Sequence, residues 1–560
     1  MKRAGGENMA RMINIRINNS EPAQYLEGIK IEDILINNSE DKALLAVVNG
    51  RYVELDKLLF EDANIIPITL KHAAGVRTYA RSLGFLLILA AKKLMPDCRI
   101  TIEHSLNKAL YCEIHCNEEL KEETIALLKE KMMQLVNLDL KFEKILIKKN
   151  EAIKLFENEG MTDKIRLLKF YDKEEIEIIK CDDVYDFFHA PLVPSTGYLK
   201  LFDLKLYKPG LLLLYPNEEN PNKIIKFKDV PKLAKIFRET EEWARILDVA
   251  DVGALNEKVF NGEIKDMVLV SEALHEKKLA YIADKIYDNR DKIKIVLIAG
   301  PSSSGKTTFS KRLSIQLRIL GFKPYPISLD DYFVDRAETP KDENGEYDFE
   351  SIHALDINLF NTHLSMLMEG HEIELPKFDF IEGRRTNSGK KLRLDNRTIL
   401  VVEGIHGLNE LLTNAVSKEN KFKIYISALT QLNIDDHNRI HTTDVRLLRR
   451  IVRDSKYRGK SAEDTITSWS MVRRGEENNI FPYQEEADIM FNSTLAYEMC
   501  ILKKYAKGQL DAIKVDSPAY LEAYRLRAFL EFFKEADDGL ENLIPKNSII
   551  REFIGDSYFE

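Results

Sequence analysis

Apolar residues fall along this chain in three rhythms. Near the start, Ile13, Ile15 and Ile17 alternate with polar residues, the period-two signature of a half-buried strand. Shortly after, ALLAVVNGRYVEL sets Asn49-Gly50 between two apolar runs. That predicts a hairpin, because a type I′ turn needs positive φ at both central residues. From about residue 71 the pattern is mixed: a helix is predicted over Tyr79–Met95, strands over ITIEHSL and ALYCEIH, and a charged helix over Glu118–Val136. The loop PLVPSTG, the strand-like GLLLLYP and a polar linker, NEENPNK at 217–223, close this stretch. VSEALHEKKLAYIADKIY then has the apolar spacing of a helix packed on the next domain. From about 270, the short apolar runs KIVLIAG, KPYPISL, TILVVEG and FKIYISA are separated by helical stretches. This is the pattern of a parallel sheet with crossover helices.

These rhythms divide the 560 residues, too many for one ordinary core, into 12–70, 71–215, a linker and helical connection at 216–269, 270–515 and a helical extension at 516–560. Hydrophobic content of 44% and charged content of 31% are those of a globular protein. With 82 basic and 91 acidic residues the net charge is −9, which argues against a constitutive nucleic-acid coat and leaves room for a local basic patch. The opening MKRAGGENMARMINIRINN has no apolar core of a signal peptide, and the longest apolar run, GFLLILAA, is far short of the roughly 20 residues a bilayer needs. Cys98, Cys112, Cys116, Cys181 and Cys500 form no CxxC pair. Scattered reduced thiols are expected, in preference to a metal site at Cys112, His115 and Cys116. A cytoplasmic chain without a membrane partner follows.

IVLIAGPSSSGKTTFSKRL, between a predicted strand and a predicted helix, fits G-x-x-x-x-G-K-[ST] at Gly300, Gly305, Lys306 and Thr307. Its glycines let the amides of Ser302, Ser303, Ser304 and Thr308 approach phosphate oxygens, and the helix N-terminus adds a favourable dipole. Lys306 is expected to reach the β/γ-phosphates of ATP and the Thr307 hydroxyl to help hold Mg²⁺. Asp330 and Asp331 end the next strand, where a carboxylate can take the proton of an attacking hydroxyl. Glu403 ends the strand TILVVE, suited to holding the metal through water. In DVRLLRRIVRDSKYRG, Arg446, Arg450 and Arg453 fall at i, i+4 and i+7 on one helix face, with Arg458 beyond. Arginine forks suit phosphate. A solvated acidic turn for Asp330 and Asp331, ordinary surface placement for Glu403 and a solvated arginine face are the plainer readings, and the glycine-rich loop upstream favours chemistry.

The order of the loop, LDDYF, PKFDF, VVEG and RLLRRIVRDSKYRG resembles the uridine kinase branch of the phosphoribulokinase/uridine kinase family over about 290–500. The resemblance implies transfer of the ATP γ-phosphate to the 5′-hydroxyl of a nucleoside. It makes Asp330 the catalytic base and Thr307 and Glu403 the magnesium residues. Arg450, Arg453 and Arg458 become lid and substrate arginines, and Glu350 of YDFES stands where a ribose-binding Asp is usual. In that family the segment matching Pro376–Arg385 carries an aromatic hydroxyl and a His that read the pyrimidine. Here these are Phe378 and Gly383, and Lys460 replaces an Arg. The expected sites are thus Asp330, Lys306 and Arg453 for catalysis, Glu350, Phe378 and Arg450 for the acceptor, and the loop with Arg453 and Arg458 for ATP.

The first block, with AVVNGRYVELDKLL, resembles a TGS domain, a small β-grasp fold, and the second resembles the editing domain of threonyl-tRNA synthetase, with YARSLGFLLILAAKKLMPD and HAPLVPSTG carrying the likeness. That domain presents H-x-x-x-H, then a Cys and a His; the four positions here are Arg81, Phe85, Phe188 and Leu192. None of these forms a zinc set. His72 and His189 lie nearby, off-register, and are read as structural. The expected architecture is an α/β P-loop kinase, a parallel sheet with flanking helices, preceded by a β-grasp domain and an α+β editing-like domain without metal ligands. Its leading activity is ATP- and Mg²⁺-dependent phosphorylation of a small-molecule acceptor, a nucleoside first. A nucleotide-binding factor contacting RNA or the ribosome through its amino-terminal half, or a kinase for another hydroxylated metabolite, are the alternatives. Oligomeric state is open, a homo-oligomer included.

Overall fold

A computed structural model describes residues 11–18, 20–36, 41–342, 345–379, 382–430 and 432–559. Residues 1–10, on which the reading of the amino terminus rests, lie outside the described residues, as do Phe380 and Ile381 of PKFDFIEGRR.

Ile13 and Ile15 turn inward from the strand Met12–Ile17, as alternation requires. This strand pairs antiparallel with Ala23–Leu26 and parallel with Ala63–Ile68, in a five-stranded sheet completed by Leu45–Val48 and Arg51–Val53. Asn49 and Gly50, at φ 47° and 79°, make the hairpin between the last two. A short helix, Ile31–Ile36, buries Ile31, Ile34 and Leu35 against Ile13, Ile15 and Ile65. A mixed sheet clasping one helix is the β-grasp arrangement.

The next helix runs Ala73–Leu94, starting earlier than its apolar core suggests, and Phe85 to Ala91 are all inaccessible. It is covered by the helix Glu122–Leu138 and by a four-stranded antiparallel sheet in the order Asp203–Tyr207, Gly210–Leu214, Ala109–His115, Arg99–Leu106. Cys98 and Cys116 flank two of these strands, and Arg99 pairs with His115 across them, so the two cysteines face each other with Cα atoms 4.9 Å apart. They form a disulfide, which corrects the expectation of five reduced thiols; Cys112, Cys181 and Cys500 are free and buried. The grouping of Cys112, His115 and Cys116 does not assemble, because Cys116 is spent on Cys98.

The carboxyl-terminal half holds a five-stranded parallel sheet in the order Lys323–Ser328, Thr398–Glu403, Ile295–Ala299, Lys421–Ser427, Ile489–Asn492. Four of the five are the predicted runs; Ile489–Asn492 is the addition. Both faces of the sheet centre are covered, which is why Ile295–Ala299 and the middle of Thr398–Glu403 are apolar without alternation, while the edge strand Lys323–Ser328 is more exposed. Val296 and Ile298 pack with Leu279, Ile282 and Ile286 of the helix Ile264–Tyr287 and with Phe309 and Leu313 of the helix Lys306–Ile319. Ile295 and Leu297 pack on the other side with Phe360 and Leu364 of the helix Ile357–Met368.

A hairpin of Asn433–Asp435 and Asn438–Arg439 joins the halves. Ile102 N–H donates to the Asp436 carbonyl at 2.8 Å, and Arg99 forks onto the Asp436 carboxylate. Beneath them the inaccessible Lys164 meets Asp186 at 2.8 Å and Asp435 at 3.0 Å, and His437 Nδ1 lies 2.7 Å from Asp186. Among the described residues no helix is long and apolar enough to cross a membrane.

Candidate phosphate-transfer site

The strand Ile295–Ala299 delivers the chain to a tight loop, and Gly305, at φ +84°, starts the helix Lys306–Ile319. A Cβ on Gly305 would also come within 2.5 Å of Ile549, so a side chain is excluded both by conformation and by space. Lys306 Nζ donates back to the carbonyls of Gly300 at 2.8 Å and Pro301 at 3.1 Å. Burial lowers its pKa, while Glu403, Glu552 and Asp330 pull it back up. Thr307 Oγ1 donates to Glu403 Oε1 at 3.3 Å across the top of the sheet.

Three polar atoms here are buried without a hydrogen-bond partner among the described residues: Ser303 Oγ, Ser304 Oγ and Glu403 Oε2. Such groups cost on the order of 1–3 kcal/mol each when left unmet, so their concentration in the loop and at the neighbouring strand end marks a ligand-shaped place. Desolvation raises Glu403 to about 7, with Glu552 adding to the rise and Lys306 opposing it. Asp330 and Asp331 lie in a single 3₁₀ turn, Leu329–Tyr332, directly after the strand Lys323–Ser328. Desolvation by the surrounding protein also raises Asp330; Lys306 lowers it and Asp331 adds to the rise. Asp331 Oδ1 accepts the Phe378 N–H at 3.4 Å.

The helix Thr442–Tyr457 lies against the loop. Arg446 donates to the Ser302 carbonyl at 3.0 Å, Arg449 to the Ser303 carbonyl at 3.3 Å and Arg450 to Ser302 Oγ at 2.7 Å. Arg446 shares with Arg450 the helix face that meets Ser302, but it is inaccessible and paired with Glu476, so it braces the loop. The fully buried Asp454 gathers Arg450 at 3.2 Å, Arg453 at 2.9 Å and Arg458 at 3.6 Å. Burial lowers both Arg450 and Arg458, with Asp454 opposing. Glu350 is half-buried, and desolvation, then Glu476, raises it to about 7, with Arg450 opposing. Phe378 is only 7% exposed and packs on Phe333 at 5.6 Å, so its ring is largely covered by protein; Gly383 sits in the following turn at φ 69°.

Sequence reasoning missed four contributors. Glu476 accepts the Ser302 N–H at 2.9 Å, and Glu498 holds Arg449. Asp454 organises the arginines, a role its spacing of four from Arg450 and Arg458 hints at. Glu552, from the carboxyl-terminal extension, accepts the Thr308 N–H at 3.0 Å at the mouth of the loop. Nothing local to Glu552 announces this.

In the amino-terminal half the four positions Arg81, Phe85, Phe188 and Leu192 also converge. The Phe85 and Phe188 rings lie 5.1 Å apart, Arg81 donates to the Pro191 carbonyl at 2.8 Å, and Leu192 is 3% exposed. His72 Nδ1 accepts the Thr69 N–H at 3.2 Å, and His189 Nδ1 lies 3.1 Å from Asn438 Oδ1.

The model of the Phosphoribulokinase / Uridine kinase family matches residues 295–498. A uridine kinase of Staphylococcus haemolyticus is 30% identical over 198 residues, 35% of this chain and 86% of that protein. A threonine–tRNA ligase of Carboxydothermus hydrogenoformans is 28% identical over 197 residues, 34% of this chain and 31% of the ligase, so the chain spans about a third of the length of such relatives. A solved D-glycerate 3-kinase from Cryptococcus neoformans has 12% identity and a TM-score of 0.17, covering 52% of this chain and 87% of that one. With its loop, its strand-end acids and its arginine helix built on one parallel sheet, the chain belongs to the phosphoribulokinase/uridine kinase family, and its amino-terminal region is similar to threonine–tRNA ligases.

Proposed function

We propose that the protein transfers the γ-phosphate of ATP to a hydroxyl of a small molecule, first the 5′-hydroxyl of a nucleoside. The observation that carries this reading is the convergence of Lys306, Thr307, Glu403 and Asp330 at the loop, with buried polar atoms left unmet. The amides of Ser303, Ser304 and Gly305, with the helix terminus, cradle the phosphates, joined by those of Ser302 and Thr308 once Glu476 and Glu552 release them, and Lys306 swings from its carbonyl contacts onto the β/γ-oxygens. Arg453 and Arg458, held by Asp454, close over ATP, and Arg450 with Glu350 holds the acceptor.

Asp330 accepts the acceptor's hydroxyl proton as its oxygen bonds to the γ-phosphorus and the bridging bond to ADP breaks. Thr307 and Glu403 offer the hard oxygen ligands that a magnesium ion prefers. When bound, that ion neutralises charge on the transferring phosphate. The units 12–70, 71–215, 216–269, 270–515 and 516–560 are retained as its domains. Incubation with γ-labelled ATP and uridine tests the reading: label on the nucleoside supports it, and label released only to water defeats it.

Similarity to threonine–tRNA ligases favours a second, compatible reading, contact of the amino-terminal half with RNA. Filter binding of unfractionated tRNA that survives Lys306→Ala supports it; no retention above a charge-matched control removes it.

A further inference from the structure

A second cationic space lies where the amino-terminal half meets the 433–439 hairpin. Arg77 and Arg81 of the helix Ala73–Leu94 line it with His189, and Arg439 and His441 complete it from the carboxyl-terminal half. Its open space, mouth included, is about 550 Å³. Three guanidinium groups therefore face one concavity, and none has a carboxylate within ion-pair distance among the described residues. Among the described residues the Arg77 side chain makes no hydrogen bond. Arg81 spends one N–H on the Pro191 carbonyl, and Arg439 meets only His441 Nδ1, at 2.8 Å.

Three of the acids near the pocket are committed elsewhere, while Glu218 and Glu522 act on Arg77 from beyond ion-pair distance. Asp444 forks onto Arg525 at 2.7 Å, Glu522 meets the same arginine at 2.6 Å, and Glu54 holds Lys144 at 2.5 Å. The mutual strain is visible at Arg81, which burial, then Arg77, Arg525 and Arg439, lower to about 9. Burial, then Arg81, lowers His189 to about 3, so its ring is neutral and relieves none of the positive charge by leaving or joining it near neutral pH.

Like charges gathered around a shielded space are costly unless a counter-charge completes them. A single carboxylate offers one charge and one planar edge. A phosphate monoester offers up to two charges and three terminal oxygens, which matches three forks approaching from two walls. We propose that this pocket is a second ligand site, distinct from the glycine-rich loop, for a small free metabolite bearing a phosphate or pyrophosphate group.

Calorimetric titration of the full-length Lys306→Ala protein with pyrophosphate tests this, because that background weakens the loop. One site is expected to remain, and Arg77→Gln, which removes no internal bond, is expected to weaken it at least tenfold with the melting temperature unchanged. Arg439→Gln is expected to weaken it to a similar degree. No binding in the Lys306→Ala background, or binding indifferent to both arginine substitutions, overturns the proposal. A short RNA added as competitor separates the sources of phosphate: no displacement of pyrophosphate is expected, and displacement would overturn the assignment to a free metabolite.

Discussion

Two clusters in this molecule invite comparison: the loop with its strand-end acids, and the four positions Arg81, Phe85, Phe188 and Leu192. Both are brought together by a long helix packed on a sheet. In the first, polar atoms are kept buried and unmet, at Ser303, Ser304 and Glu403. In the second, three of the four side chains are apolar and inaccessible or nearly so, and two rings touch. A working site holds its polar groups in readiness at a cost in stability, whereas a filled site contributes to the core like any other packed apolar cluster. Substitutions should therefore divide cleanly. At the first cluster they cost activity, and at the three apolar positions of the second, Phe85, Phe188 and Leu192, they cost stability.

The largest effect is expected at Lys306. Lys306→Ala abolishes phosphoryl transfer, since no other residue brings positive charge to the β/γ-oxygens from that loop. Its melting temperature should hold, because the lysine is already disfavoured by burial. A variant with near wild-type turnover would remove the loop from the mechanism. Phe85→Ala is the converse experiment. It should cost about 3–5 kcal/mol in chemical denaturation, as for a large ring removed from a packed core, with turnover of the folded fraction unchanged. A loss of turnover without a loss of stability would mean that the amino-terminal cluster is still a site.

Asp330→Asn should lower turnover by roughly 10²-fold or more while ATP still binds, as expected when a general base is lost. If Asp331→Asn is the damaging change instead, the roles within the pair are reversed.

The junction between the halves gives a pH test. Burial, the largest single influence, disfavours the charged form of His437, as does Lys164, but the charge and hydrogen bond of Asp186 and the charge of Asp435 together outweigh them; its folded pKa is raised. The sign follows from linkage. A raised value contributes stability that is present below the unfolded value, about 6.5, and is lost as pH rises through the folded value. Melting temperature should thus fall as pH rises above neutrality, and His437→Asn should flatten that fall; an unaltered slope would place the dependence elsewhere.

The smallest effect belongs to Glu552. Its carboxylate accepts the Thr308 N–H at the mouth of the loop, where it opposes the charge of a bound triphosphate. Glu552→Gln should tighten ATP binding several-fold in a fluorescence titration, and unchanged or weaker binding would show that the extension does not compete.

What was legible in the sequence is what depends on neighbours along the chain. The loop, the Asn49-Gly50 turn and four of the five parallel strands rest on local spacing and conformational preference. Ile489–Asn492 is only four residues long, too short to show a period. The Cys98–Cys116 bond depends on strand register, with the cysteines 18 residues apart. Arg446 shares its helical spacing and its contact with Ser302 with Arg450, but its pairing with Glu476, 30 residues on, is a tertiary fact. Glu552 reaches the loop from 244 residues beyond Thr308, which no window on the sequence reveals. Phe378 could be numbered in advance as an acceptor residue, but its packing on Phe333 is a tertiary fact.

On the proposed function, an intact transfer site works beside an acceptor site with little means of reading a base. Phe378 offers no hydroxyl and Gly383 no side chain, and selection by apolar contact is worth up to about 10²-fold, whereas selection by buried hydrogen bonds reaches about 10⁴–10⁵. Steady-state kcat/KM with ATP across uridine, cytidine, adenosine, guanosine and inosine measures this directly. The prediction is transfer that Lys306→Ala eliminates, with pyrimidines favoured over purines by less than about 10²-fold. Transfer to none of the five, or a preference for one pyrimidine above about 10⁴-fold, would contradict it.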